Sequence, residues 1–173
     1  TWLRSLMGRH KDFWQITEDS LDKSMKLFKI NPSMRDELLN LYKVLSPFKE
    51  VHETLKILKE KKFKLAILSN GTPSLLKKLV KSNNLENIFD DIFSIEDVGV
   101  YKPNSEVYDM PIKKYKIKKN EVAFLSANTW DVSGGGNYGY QAIWVNRNSN
   151  IFDNLDYKPR SEIKDLSGLL NEF

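Results

Sequence analysis

The stretch that most constrains this chain is Lys64–Pro73, Lys-Leu-Ala-Ile-Leu-Ser-Asn-Gly-Thr-Pro. A short run rich in Leu, Ile and Ala suits a strand buried on both faces. Thr72 fits a helix N-cap, and Pro73 fits the first helical position, where its missing N–H is not needed. Ser69 and Asn70 therefore fall at the carboxyl end of a strand, beside the free N–H groups of a helix start. Open α/β sheets bind ligands there, and a helix N-terminus favours an anion.

The rest of the chain repeats the alternation. Residues 50–61 read as a helix through Val51, Leu55 and Leu58, followed by the strand Leu65–Leu68 and a helix over 73–83. A short strand at Phe93–Ile95, a helix over 104–116, a strand at Val122–Leu125 and a helix over 131–138 follow. Ala142–Val145 is another strand, Ile163 sits in a last short one, and residues 166–172 form a terminal helix. Pro111 lies past the first turn of its helix and is expected to kink or interrupt it. Alternation of this kind predicts an α/β fold, a Rossmann-like parallel sheet covered on both faces. Before it, Leu21, Met25 and Phe28 recur at helical spacing, with Thr17 as the expected cap of a helix over 17–29. Asn31-Pro32 breaks that helix; Ser33 is expected to cap a second, whose stripe is Leu38, Leu41, Tyr42 and Leu45. Two short helices make a hairpin over residues 1–46, ahead of the α/β core over 47–173.

Composition removes several function classes. The chain has no cysteine, so disulfides, thiolate catalysis and zinc–cysteine sites are out. No apolar run approaches the length of a membrane span, and the start as given carries no signal peptide. The net charge of +4 invites nucleic acid. However, the lysines scatter over many segments, which predicts a solvated surface rather than a binding face. A cytoplasmic protein without nucleic-acid or membrane partners is expected. His10 and His52 are isolated, Ser69 lies in no Gly-x-Ser-x-Gly elbow, and Gly134-Gly135-Gly136 is not a dinucleotide fingerprint.

Two further stretches join the first: Tyr101-Lys102-Pro103-Asn104-Ser105-Glu106-Val107-Tyr108, and Ala123-Phe124-Leu125-Ser126-Ala127-Asn128-Thr129-Trp130-Asp131. With Ser69-Asn70-Gly71 they resemble, in order and spacing, the haloacid dehalogenase superfamily, and within it the (S)-2-haloacid dehalogenases (type II, L-2-haloacid dehalogenases). The opening Thr1-Trp2-Leu3-Arg4-Ser5-Leu6-Met7-Gly8-Arg9 resembles their helical cap, so residues 1–46 become the remnant of a small cap domain. The nucleophile of the superfamily is an aspartate in an Asp-x-x-Gly-Thr pattern after an N-terminal strand, and no such pattern occurs here. Asp90 and Asp91 have no Gly-Thr after them. The chain is thus expected to lack its N-terminus, by about 30–50 residues for a strand, loop and helix. The central first strand of the sheet would be missing, with the strands ending at Ser69 and Ser126 as its two neighbours.

The resemblance implies an aspartate that displaces halide from a short 2-haloacid, forming an ester that water hydrolyses. It assigns the cation beside the nucleophile to Lys102, and the residues that hold Lys102 and place the water to Ser126, Asn128 and Asp131. Ser69 and Asn70 match carboxylate-binding positions, Tyr108 lines the site, and Phe13 and Trp130 match apolar pocket positions. Only one carboxylate, Asp131, stands where phosphatase members place two for Mg²⁺, so no metal and no cofactor are expected. The alternatives are a phosphatase-like hydrolase of the superfamily, or a non-catalytic remnant or binding module. The complete protein is expected to act on a small-molecule 2-haloacid and to allow a homodimer. Gly134–Gly136 in the helix after Asp131 are expected to loosen it, at about 1 kcal/mol per glycine relative to alanine.

Overall fold

The computed structural model describes residues 2–173, all but the side chain of Trp2. Its amino-terminal part is helical: α1 (Trp2–Leu6), α2 (Phe13–Leu27), a 3-10 turn at Pro32–Met34 and α3 (Arg35–Leu41). Then helices and strands alternate: α4 (Val51–Glu60), β1 (Ala66–Ser69), α5 (Pro73–Ser82), β2 (Asp91–Ser94), α6 (Ser105–Tyr115), β3 (Ala123–Ser126), α7 (Thr129–Tyr138), β4 (Gln141–Val145) and β5 (Ser161–Ile163). The expected terminal helix is a 3-10 helix, Leu166–Asn171. No helix among the described residues is long and apolar enough to cross a membrane.

Every strand pairing is parallel, as the alternation predicts, but the strands form two separate ladders. β1 pairs with β2, in register Ala66 with Asp91 and Ser69 with Ser94. β4 lies between β3 and β5. No ladder joins β1 to β3, so both are edges. The expectation that β1 is buried on both faces is therefore not met: Ala66 is exposed and Ile67, Leu68 and Ser69 are half-buried. A central parallel strand gains its burial from neighbours on both sides, and β1 has only one.

Helices cover both faces. On one, Leu55 and Leu58 of α4, Val80 of α5 and Leu169 pack with Ile143, Val145 and Ile163, joined by Ile67 and Leu125. On the other, Tyr108 of α6 and Val132 of α7 pack with Phe124, Tyr140, Ala142 and Trp144, joined by Leu68. A third cluster, Ile16, Ile95, Tyr101 and Val107, takes in Phe13 and ties α2 to the segment after β2. His10, expected to be isolated, bonds there to Glu96 Oε2 at 3.2 Å.

Several local expectations shift. Asp12, not Thr17, caps α2, accepting the Gln15 N–H at 2.8 Å. The helix begins a turn earlier, and Thr17 is buried inside it, its hydroxyl donating to Phe13 O. Asn31, not Ser33, caps the turn after α2, with its carbonyl accepting the Ser33 N–H. Of the two helical stripes, Met25 is buried while Phe28 lies exposed at the end of α2. α3 stops at Leu41, so Leu41, Tyr42 and Leu45 are exposed and Leu39 is the buried residue. α6 runs uninterrupted past Pro111, which is buried, and ends on Lys116 in the left-handed conformation.

Candidate active site

The carboxyl ends of β1 and β3 lie either side of one buried ion pair. Lys102, on the loop before α6, is 6% exposed, and Asp131, in the first turn of α7, is 4% exposed. Lys102 Nζ stands 2.9 Å from Asp131 Oδ2 and 3.0 Å from the carbonyl oxygen of Leu68 in β1. It also lies 5.4 Å from the centre of the Phe124 ring in β3. Tyr108, fully buried, donates its hydroxyl to Asp131 Oδ1 at 2.8 Å. Both oxygens of Asp131 are thus engaged. Two charges out of water need this completeness: breaking a buried pair by removing one partner costs about 3–5 kcal/mol.

The ionisation of the tyrosine fits its role as donor. Burial raises the Tyr108 pKa well above that of an ordinary phenol, and the Asp131 charge beside it raises it further. The hydroxyl keeps its proton at any physiological pH. Its ring is held edge-on by Phe124 and Tyr140 and tilted against Tyr138, with centroids 5.6, 6.1 and 5.9 Å away.

Ser69, Asn70 and Thr72, singled out in the sequence, and Ser94, which was not, shape the rim. Asn70 accepts the Lys102 backbone N–H through Oδ1 at 3.2 Å, which fixes the lysine loop to the end of β1. Ser69 Oγ accepts the Gly71 N–H at 3.0 Å, so that amide is already occupied, while the hydroxyl proton stays available. Ser94 at the end of β2 donates to Gly71 O, bracing the same turn. Thr72 caps α5 as expected, accepting from Leu75 N.

The remaining residues do not reach the ion pair. Ser126 Oγ accepts the Asn128 N–H at 3.2 Å, and Asn128 caps α7 through its backbone carbonyl. Among the described residues neither hydrogen-bonds Lys102; the carboxylate of Asp131 and the Leu68 carbonyl hold it. Trp130, 36% exposed, lines an open cavity of about 630 Å³ with Asn128, Thr129, Trp144 and Ile151. That cavity lies on the β4 side of β3. Phe13 opens α2, donating its N–H to Glu96 Oε1 and packing against the Tyr101 cluster.

α7 runs through Gly134–Gly136 and is continuous from Thr129 to Tyr138. A Cβ on Gly134 would stand 2.5 Å from the Tyr108 hydroxyl and 2.8 Å from Pro103 Cβ. One on Gly135 would meet the Phe124 ring at 2.5 Å, and one on Gly136 would enter the Tyr157 ring. The glycines let aromatic side chains close on the helix that carries Asp131. The sequence signal was present, a glycine triplet inside a helix, but only the packing gives its meaning.

Fold and site together define a parallel α/β protein with a buried lysine–aspartate–tyrosine cluster at its strand ends. A family model for haloacid dehalogenase-like hydrolases matches residues 3–145, and the chain belongs to that family. The (S)-2-haloacid dehalogenase of Pseudomonas sp. (strain YL) is 35% identical over 175 residues, a match covering 100% of this chain and 75% of that protein. Two solved structures agree in fold. One, of a dehalogenase, has a TM-score of 0.96 at 31% identity, covering 99% of this chain and 77% of its own. The other, L-2-haloacid dehalogenase from Xanthobacter autotrophicus, has 0.90 at 27% identity, covering 98% and 79%.

Proposed function

We propose that these residues form most of the active site of an (S)-2-haloacid dehalogenase that works through an aspartyl ester. The observation that carries the reading is the dry Lys102–Asp131–Tyr108 cluster at the carboxyl ends of β1 and β3. A carboxylate nucleophile must be ionised in a water-poor site, and a buried ammonium stabilises that charge. Asp131 orients Lys102 toward the space between the strands, and Tyr108 holds Asp131 by a donor that does not titrate. The attacking carboxylate oxygen forms a bond to the substrate Cα as the carbon–halogen bond breaks, its electron pair leaving as halide. Water then adds to the ester carbonyl, releasing the 2-hydroxy acid and restoring the carboxylate. Ser69 and the start of α5 suit the substrate carboxylate. Helices α1–α3 serve as the cap, with Phe13 at the start of α2 as apolar lining.

The engaged state of Asp131 also supports metal-independent chemistry. With Oδ1 and Oδ2 both bound, and no second acidic residue in Ser126–Asp131, an octahedral cation finds too few hard ligands.

The nucleophile in this reading is an Asp-x-x-Gly-Thr aspartate, a pattern that residues 1–173 do not contain. Residues 1–173 alone therefore release no halide from (S)-2-chloropropionate. A chimera carrying a strand with the superfamily's Asp-x-x-Gly-Thr pattern ahead of residue 1 releases it, spares the (R) isomer and ignores EDTA. Halide release by residues 1–173, or Mg²⁺-dependent cleavage of phosphate esters by the chimera, overturns the proposal.

A further inference from the structure

Phe13 is the first residue of α2, so its N–H has no acceptor inside its own helix. It donates instead to Glu96 Oε1 at 3.3 Å, 83 residues away in the 3-10 turn Ile95–Asp97 after β2. The other oxygen, Oε2, lies 3.2 Å from His10 Nε2. One carboxylate thus grips both the linker into α2 and the start of that helix. A second hold comes from the end of the same segment. There Tyr101 donates its hydroxyl to Lys11 O at 2.8 Å and packs its ring against that of His10.

Glu96 is itself anchored to the turn after β1. Its backbone N–H donates to Ser94 Oγ at 3.2 Å, and the Ser94 hydroxyl donates to Gly71 O at 2.8 Å. The Gly71 N–H in turn donates to Ser69 Oγ at 3.0 Å. Ser94 is buried and stands opposite Ser69 in the β1–β2 register, and its hydroxyl both donates and accepts within this link. A run of hydrogen bonds through Glu96, Ser94 and Gly71 therefore joins Phe13 in the helical part to Ser69 at the end of β1. Packing follows the same route. The cluster of Ile16, Ile95, Tyr101 and Val107 takes in both Phe13 and Leu68, whose carbonyl receives Lys102.

We propose that Glu96 is a positioning residue for the substrate pocket: it fixes Phe13 relative to the Ser69–Gly71 turn, and so sets how large a group at C2 of the acid fits. Glu96 acts through Phe13 and Ser94 rather than on the reacting atoms. One methylene in an apolar pocket is worth about 10–200-fold in discrimination, so a displaced lining residue is read most sharply in the choice between short and long acids. The identity of the acid rests on the dehalogenase reading. The first arm of the test does not use halide release, so the two fail separately.

Amide hydrogen exchange in residues 1–173 reads the link directly. Glu96→Ala removes both carboxylate oxygens, and exchange should speed at least fivefold at Phe13. It should also speed at least threefold at Gly71, whose own acceptor, Ser69, is untouched. Glu96→Asp keeps the charge but loses reach and should act in the same direction; it decides if the alanine variant fails to fold. Glu96→Gln keeps the reach and an oxygen for the Phe13 N–H, and should leave both amides within twofold of the original. In the halide-releasing chimera, Glu96→Ala should lower the preference for (S)-2-chloropropionate over (S)-2-chlorohexanoate at least fivefold. The change should lie in KM, with kcat within threefold, and Glu96→Gln should keep the preference. Faster exchange at Phe13 without any change at Gly71 overturns the proposal. So does an equal fall in kcat on both acids, or a Gln variant that behaves as Ala does, since either marks a residue that only supports the fold. A chimera that releases no halide removes the dehalogenase reading, and exchange at Gly71 then decides whether Glu96 ties Phe13 to the turn.

Discussion

Gly134→Ala tests how tightly the site is built. The new Cβ would lie 2.5 Å from the Tyr108 hydroxyl and 2.8 Å from Pro103 Cβ. A comfortable carbon–oxygen contact is nearer ~3.5 Å, so something must shift by about an ångström. Tyr108 has nowhere to go, since it is fully buried among Phe124, Tyr138 and Tyr140. Overpacking of this kind costs about 1–3 kcal/mol. Drawing the hydroxyl off Asp131 costs about 1.5–3 kcal/mol more, because that bond is to a charged group. Against this, alanine improves helix propensity by about 1 kcal/mol over glycine. The net expectation is a loss of about 1.5–5 kcal/mol, read by urea unfolding at neutral pH. Gly136→Ala is the control: its Cβ enters the Tyr157 ring, but Tyr157 is a half-buried loop residue that can swing out. Gly136→Ala should therefore cost less than Gly134→Ala despite the closer approach. A Gly134→Ala chain as stable as the original, or more so, refutes the packing argument.

Lys102→Met should destabilise by about 3–5 kcal/mol, because it leaves Asp131 charged and buried with Tyr108 as its side-chain partner; no change in the urea midpoint would show the pair to be irrelevant to stability. In the halide-releasing chimera, Asp131→Asn should slow ester hydrolysis more than ester formation, so mass spectrometry finds the covalent adduct; an adduct-free enzyme with normal turnover contradicts the role given to Asp131. Acid should weaken the start of the β1–β2 ladder. The hydrogen bond from Lys59, with that from the Leu65 N–H, holds the Asp90 carboxyl below its usual range. A carboxyl lowered in the folded state gives stability that is present above its unfolded pKa of about 3.9 and lost as pH falls through the folded value. Asp90→Asn should therefore flatten the decline in stability below about pH 4, and an unchanged decline would assign it to other carboxylates.

Much of this molecule is local and was legible in residue order. The apolar run into Ser69-Asn70-Gly71, with Thr72 and Pro73 behind it, specifies strand, turn and helix start within ten residues, and the structure reproduces each. The alternation fixes parallel pairing, because a strand–helix–strand crossover leaves little choice. Caps were harder to place: Thr17 and Asp12 are both good N-caps, and burial of Ile16 and Thr17 against the core chose the earlier start.

What tertiary structure alone decided depends on contacts between distant residues. Tyr108 bonds Asp131 and Lys102 reaches the Leu68 carbonyl across separations of 23 and 34 residues, contacts that spacing along the chain does not encode. The glycines of α7 read as weakness by propensity and act as clearance, since propensity describes an isolated helix and the aromatic cluster comes from α6, β3 and the loop before β5. Likewise, the apolar sequence of β1 marks it as a strand for a sheet interior. Only the ladders show that one of its two sides is unpaired, because pairing is a property of neighbours in space.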